Sequence, residues 1–147
     1  MDSILWFRND LRLTDHVALR EALDGGGPVV PVFIWSPEEE GAWAPGAASR
    51  WWLHQSLKAL DARLRKLGSR LMIRRGPAAD ALKQLALEFG ANRVFFTRRY
   101  EPAARKQEAA VRKALTADGT EARDVGGALL YEPGAIRNLA GKPFQVF

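Results

Sequence analysis

The stretch Ile4-Leu5-Trp6-Phe7-Arg8-Asn9-Asp10-Leu11-Arg12-Leu13-Thr14-Asp15 decides how the chain folds. It opens as an apolar run, the pattern of a strand covered on both faces. It then breaks into charge at Arg8, Asp10, Arg12 and Asp15, and a helical pattern follows at once. A strand handing over to a helix through a polar corner is where open α/β sheets place their ligands.

Outward from that corner, strand and helix alternate. Ser3 to Phe7 reads as the first strand. Thr14 or Asp15 is positioned to cap a helix whose apolar face carries Val17, Leu19, Ala22 and Leu23. The run Asp24-Gly25-Gly26-Gly27-Pro28 stops it. These glycines precede the second strand instead of following the first, so they are no dinucleotide fingerprint. Val29 to Trp35 is the second strand, with Pro31 expected near its start or at a bulge because proline donates nothing to a ladder. Ser36 to Gly46 reads as a loop, and its Glu38-Glu39-Glu40 as a solvated acidic turn.

Ser49 to Leu67 is the longest helix, striped by Leu53, Leu57, Leu60, Leu64 and Leu67. The adjacent Trp51 and Trp52 diverge by about 100 degrees, so one ring should face in and the other partly out. Arg70 to Arg75 is the third strand. Gly76-Pro77 opens a helix with inner residues Ala81, Leu82, Leu85 and Phe89, and Gly90 ends it. Arg93 to Thr97 is the fourth strand, Glu101-Pro102 starts a helix running to about Ala117, and Glu121 to Val125 is the fifth strand. Residues 126–147 read as an irregular, Gly-containing tail. Alternation of this kind gives a doubly wound α/β fold, a Rossmann-like three-layer sandwich with a five-stranded parallel sheet in the order 3-2-1-4-5.

With that order the crevice lies between strands one and four. Arg8, Asn9 and Asp10 converge there from the first strand, and Arg98, Arg99, Tyr100 and Glu101 from the fourth. Trp35 and Ser36 come from the second, and Ser49 and Arg50 lead the long helix nearby. Donors, acceptors and rings suit a flat heteroaromatic ligand. Taken singly, Arg8 with Asp10 and Arg99 with Glu101 could equally be ion pairs that pin loops. His16 and His54 have no second His or carboxylate at ligand spacing, so both read as surface or interface residues and no metal site is expected. Two histidines away from strand ends make no Ser-His-Asp arrangement, and no P-loop is present.

The chain has 147 residues and no cysteine, which excludes disulfides and thiolate metal sites and fits a cytoplasmic setting. No segment approaches the roughly 18 apolar residues of a membrane span, and no basic-then-apolar leader precedes the first strand. The net charge is +5, from 22 basic and 17 acidic residues. Because the basic residues are spread over many segments, the surplus fits solubility as well as a polyanionic partner.

Four ordered motifs resemble the front of the DNA photolyase/cryptochrome family. They are Trp6-Phe7-Arg8-Asn9-Asp10-Leu11-Arg12-Leu13 with Asp15 and Ala18-Leu19; Pro45-Gly46 with Ser49-Arg50-Trp51-Trp52-Leu53; Tyr100-Glu101-Pro102 with Arg105; and Leu130-Tyr131-Glu132-Pro133 leading to Pro143-Phe144-Gln145-Val146-Phe147. The resemblance spans the chain but only about the first third of such a protein. It implies an α/β antenna domain over 1–125, with 126–147 leading toward a linker and a helical FAD domain that lie outside this sequence. In that family the helical domain repairs cyclobutane pyrimidine dimers by light-driven electron transfer from reduced flavin, as a deoxyribodipyrimidine photolyase, or serves as a cryptochrome photosensor. The resemblance therefore implies no catalytic and no FAD-binding residue in this chain. It implies damaged DNA as a partner only through the absent domain, and no specific DNA binding by this part.

What the chain could hold is the second chromophore, a methenyltetrahydrofolate, a deazaflavin or a flavin. The family's contacts fall here on Trp35, Ser36, Ser49, Arg50, Arg99, Tyr100, Glu101 and Arg105, beside Arg8, Asn9 and Asp10. Two departures leave its identity open, and the pocket could also be empty. Ala103-Ala104 stands where some pterin binders have Asn-Glu, and Arg99 where some deazaflavin binders have Asp. A stand-alone nucleotide-binding α/β domain is the reading that the strand and helix pattern alone would allow.

Overall fold

The computed structural model describes residues 2–127 and 129–143; the part of the last motif at 144–147 lies outside them. Five strands form one sheet: β1 (Ser3–Phe7), β2 (Val29–Trp35), β3 (Met72–Arg75), β4 (Arg93–Thr97) and β5 (Glu121–Val125). Four helices alternate with them: α1 (Val17–Asp24), α2 (Ala47–Lys66), α3 (Ala78–Phe89) and α4 (Pro102–Ala117). The order is β3-β2-β1-β4-β5 and every pairing is parallel, as the alternation requires. The winding reverses between β1 and β4.

Successive strand residues point to opposite faces, and the sheet builds two cores accordingly. Ile4, Trp6, Val32, Ile34, Val94 and Phe96 pack on one face with Leu82 and Leu85 of α3 and Val111 and Leu115 of α4. Leu5, Phe7, Phe33 and Phe95 pack on the other with Ala18 and Ala22 of α1 and Leu60 and Leu64 of α2. β1 is buried along its whole length, as expected of the middle strand. Pro31 sits near the start of β2, opposite Leu5 in unbroken register; β3 begins pairing one residue later, at Val32, so no rung toward β3 is required of the proline.

Several local expectations are corrected. The N-cap of α1 is His16, whose Nδ1 accepts the Leu19 N–H at 3.1 Å. Asp15 cannot serve, because it occupies the left-handed region at φ 51°, whereas a capping residue is extended. The buried residues of α1 are Ala18 and Ala22, while Val17 and Leu23 are exposed. β3 starts at Met72, not Arg70, because the Leu71 N–H is taken by Asp61 Oδ1 at 2.9 Å. Leu67 lies beyond the last turn of α2 and is exposed. Trp51 and Trp52 are both exposed, 61% and 67%. The inward stripe runs through Leu53, Leu57, Leu60 and Leu64, and neither Trp falls on it.

The segment after β2 is not a solvated turn. It is a short 3-10 stretch over Pro37–Trp43, kinked at Gly41 with φ 58°. Glu39 turns back into the molecule. Its Oε2 accepts from Ser36 Oγ at 2.6 Å, the Ala78 N–H at 2.9 Å and Gln107 Nε2 at 2.7 Å. Ala78 is the first residue of α3, so this carboxylate satisfies one of the free donors at that helix start. The tail holds no helix or strand among the described residues, yet Glu132 ties it down by accepting from Arg98 Nη1 at 2.9 Å and from the Tyr100 hydroxyl at 2.7 Å.

Candidate functional site

The carboxyl ends of β1, β2 and β4 open into one cleft, lined by Arg8 and Asn9, by Trp35 and Ser36, and by Arg99. Its walls are completed by Glu40, Pro45 and Leu53 before and on α2, and by Gln107 from α4. The cleft is narrow, about 80 Å³. It opens, through the shared Arg8, Asn9, Pro45 and Leu53, into a broader groove of about 570 Å³ where Ser49 and Trp52 are found. Ligand sites usually fall at a few hundred to about 1,000 Å³, so a bicyclic ligand must use both spaces.

Arg8 anchors the floor. Its guanidinium lies 4.5 Å from the centroid of the Trp6 ring, pairs with Glu108 of α4 and donates to Gln107 Oε1 at 3.0 Å. Its side chain is only 4% exposed. Burial pulls the guanidinium below its usual value, and the Glu108 carboxylate opposes that pull. Glu108 Oε1 also accepts the Arg99 N–H at 2.9 Å, so one carboxylate joins the ends of β1 and β4.

Asp10 does not pair with the Arg8 side chain. Its Oδ1 accepts the Arg8 backbone N–H at 2.7 Å, and its Oδ2 lies 3.0 Å from His16 Nε2. His16 Nδ1 accepts from Leu19, which turns the other ring nitrogen, Nε2, to the side of Asp10, within ion-pair distance but outside hydrogen-bond geometry. Burial alone would raise the Asp10 carboxyl; the neighbouring His16 and Thr97 side chains and the hydrogen bond from the Arg8 N–H outweigh it and hold the carboxyl below its usual range. His16 is thus a buried brace of the β1–α1 corner, 7% exposed, and not a surface residue. His54 is exposed.

Arg99 spans the far wall. It donates to Glu40 at 2.9 Å and Glu101 at 3.1 Å, and burial, which would lower the guanidinium, is outweighed by these two carboxylates, so it lies above its usual value. The Arg99 bond holds Glu101 below the carboxylate range. Arg99 Nε is buried and has no hydrogen-bond partner among the described residues.

The expected site residues therefore divide. Arg8, Asn9, Trp35, Ser36 and Arg99 meet in the cleft, and Ser49 joins them across the groove. Asp10 braces from behind. Tyr100 and Arg105 line a second depression, with Arg98, Arg112 and Glu132, that shares Arg99 with the cleft. Glu101 sits at the start of α4 as a brace for Arg99, and Arg50 is exposed and borders neither space. Glu39, Glu40, Gln107 and Glu108 were not anticipated. Only the interior, apolar-interrupted placement of Gln107-Glu108 between Ala104 and Val111 on α4 hinted at inward-facing polar groups. No group of three or more His, Cys, Asp or Glu poised for a metal occurs among the described residues.

A doubly wound α/β domain with a narrow, arginine-lined switch-point cleft defines the class. The chain belongs to the DNA photolyase family, whose model matches residues 3–147. A bacterial class III photolyase from Agrobacterium tumefaciens superposes with a TM-score of 0.87 at 41% identity over 99% of this chain and 30% of that one. An archaeal photolyase from Sulfolobus tokodaii, solved with two FAD molecules, gives a TM-score of 0.84 at 29% identity over 94% of this chain and 32% of its own. Cryptochrome-1 of Arabidopsis thaliana is 42% identical over 99% of this chain and 21% of its length. The chain thus spans under a third of the proteins it resembles, and it corresponds to their N-terminal domain. No helix among the described residues is long and apolar enough to cross a membrane.

Proposed function

We propose that the chain is the light-harvesting domain of a DNA photolyase, with residues 1–125 as the antenna fold and 126–147 leading to a helical FAD domain outside it. That domain would carry out the light-driven repair of cyclobutane pyrimidine dimers in the cytoplasm, contacting damaged DNA itself, and would be this chain's principal partner. The observation that carries the reading is the cleft at the β1/β4 switch point, where Trp35 supplies a ring, Asn9 and Ser36 supply polar edges, and Arg99 brings a cation held in place by Glu40 and Glu101.

The second chromophore, when bound, absorbs light and passes the excitation to FAD. This chain's own residues bind and orient it. Arg8 and Arg99 are fixed by Glu108, Glu40 and Glu101 before any ligand arrives, so the cleft wall is preorganised. The tight cleft and the broad groove that opens from it together suit a planar ring lying across both with its substituent in the groove, which a methenyltetrahydrofolate, a deazaflavin or a flavin each offers. The second FAD of the Sulfolobus relative supports the flavin type. The 42% identity to a plant cryptochrome supports a photosensor as the second reading of the parent, and the residues after 147 would separate the two.

Pigments extracted from the purified parent protein test this. We expect a second chromophore besides FAD, and its loss, with FAD retained, in Arg99→Ala and Trp35→Ala. Arg50→Ala should leave it in place, since Arg50 borders neither space. FAD alone in the wild-type extract would overturn the antenna reading.

A further inference from the structure

The basic residues are spread over many segments, but their excess over the acidic ones falls in a single segment. Of the 22 Lys and Arg, six lie between positions 47 and 70: Arg50, Lys58, Arg63, Arg65, Lys66 and Arg70. Of the 17 Asp and Glu, only Asp61 lies there. The rest of the chain balances at sixteen of each sign, so the net charge of +5 belongs to α2 and the turn that follows it. All six cations are exposed. Arg65 is held by Asp61 at 2.7 Å, and Asp61 also accepts the Leu71 N–H. Lys58, Arg63, Lys66 and Arg70 have no acidic side chain within ion-pair distance among the described residues. A basic last turn does complement the helix dipole, but Lys58 lies two turns earlier and Arg70 beyond the helix.

The same helix exposes aromatic rings. Trp51 and Trp52 stand clear of the surface with centroids 6.3 Å apart and planes tilted by 41°. Large exposed rings beside unpaired cations, on a helix face that no other described element of this chain covers, are the parts of a platform for stacked bases and their phosphates. Duplex bases are already stacked and cannot use such rings; unpaired bases can. We propose that the outer face of α2 binds single-stranded nucleic acid without sequence preference, Trp51 stacking a base and Lys58, Arg63, Lys66 and Arg70 tracking the backbone. The 20-residue helix is about 30 Å long, room for about five nucleotides, within the range of one single-strand module. Trp51 and the four cations border neither the cleft nor the groove beside it, whereas Trp52 lines that groove; binding through Trp51 and the cations needs no chromophore.

Fluorescence anisotropy of a labelled 15-mer of deoxythymidine, titrated with the full chain, tests the proposal. Contact with four phosphates gives a salt slope of about −3, so affinity should fall about fiftyfold between 50 and 200 mM salt. Tryptophan emission should be quenched by the oligonucleotide. Trp51→Ala should weaken binding at least fivefold, and the triple exchange Lys58→Glu, Arg63→Glu, Lys66→Glu more than tenfold, with melting curves kept near wild type. Lys106→Glu with Lys113→Glu on α4 should change little. Binding unaffected by the α2 exchanges, or weakened as much by the α4 pair, would overturn the proposal. So would equal affinity for the matching duplex, or for heparin without quenching, since either would reduce the surface to charge alone.

Discussion

Removing the charge of Glu108 while keeping its shape isolates the bond that joins the two central strands. In Glu108→Gln the amide oxygen can still accept the Arg99 N–H and an Arg8 proton. What disappears is the anion beside a guanidinium whose side chain is 4% exposed. The remaining acceptors of Arg8, the Thr97 carbonyl at 3.3 Å and Gln107 Oε1 at 3.0 Å, are neutral. Leaving one charge of a buried pair unmatched costs about 3–5 kcal/mol. The Trp6 face under the guanidinium returns part of that, so we expect a loss near the lower end, about 3 kcal/mol. With an unfolding entropy of about 0.3 kcal/mol/K for 147 residues, Tm should fall by about 10 °C in calorimetry. Arg8→Met combined with Glu108→Gln takes away the stranded cation and should recover most of the loss, to within about 1–2 kcal/mol of wild type. A single exchange costing under about 1 kcal/mol, or a double variant no better than the single, would refute the claim that this pair holds the floor of the cleft.

Two further outcomes follow from the same reasoning. Asp10 sits below its usual carboxyl value in the folded chain, so its contribution is complete above the unfolded value of about 3.9 and fades as pH falls through the lower folded value; urea titrations of Asp10→Asn should show a deficit at pH 7 that narrows below about pH 4, and a gap constant with pH would contradict the bracing role. Leu60, 2% exposed under the α2 side of the sheet, should cost about 2–5 kcal/mol as Leu60→Ala, whereas Leu67→Ala, at 73% exposure, should leave Tm unchanged within about 2 °C.

The strands, the order of the sheet and the location of the cleft were legible because each is written in neighbouring residues. An apolar run bounded by Gly, Pro or charge defines β1, β2 and β4, and Glu101-Pro102 marks the start of α4 where the structure has it. Alternation then dictates parallel pairing, and parallel pairing places Arg8 and Arg99 side by side. Local backbone conformation was less legible: nothing in Thr14-Asp15-His16 signals that Asp15 turns left-handed and passes the cap to His16.

The partners of those placed residues were not legible, for a physical reason. Arg8 finds Glu108 a hundred positions away and Gln107 ninety-nine, while Glu39 reaches Ala78 and Gln107 across thirty-nine and sixty-eight. A local reading instead offers each cation the nearest acid in sequence, Asp10 for Arg8 and Glu101 for Arg99, and treats three consecutive glutamates as solvated. The first of those pairs does not form, because Asp10 is committed to the Arg8 backbone and to His16. The second does, but only as half of a clamp whose other half is Glu40. The loops of this cleft are thus held by charge across the sheet's end, where little apolar contact is available to hold them. That arrangement fixes the guanidiniums before any ligand arrives, which is what the proposed antenna site requires of its walls.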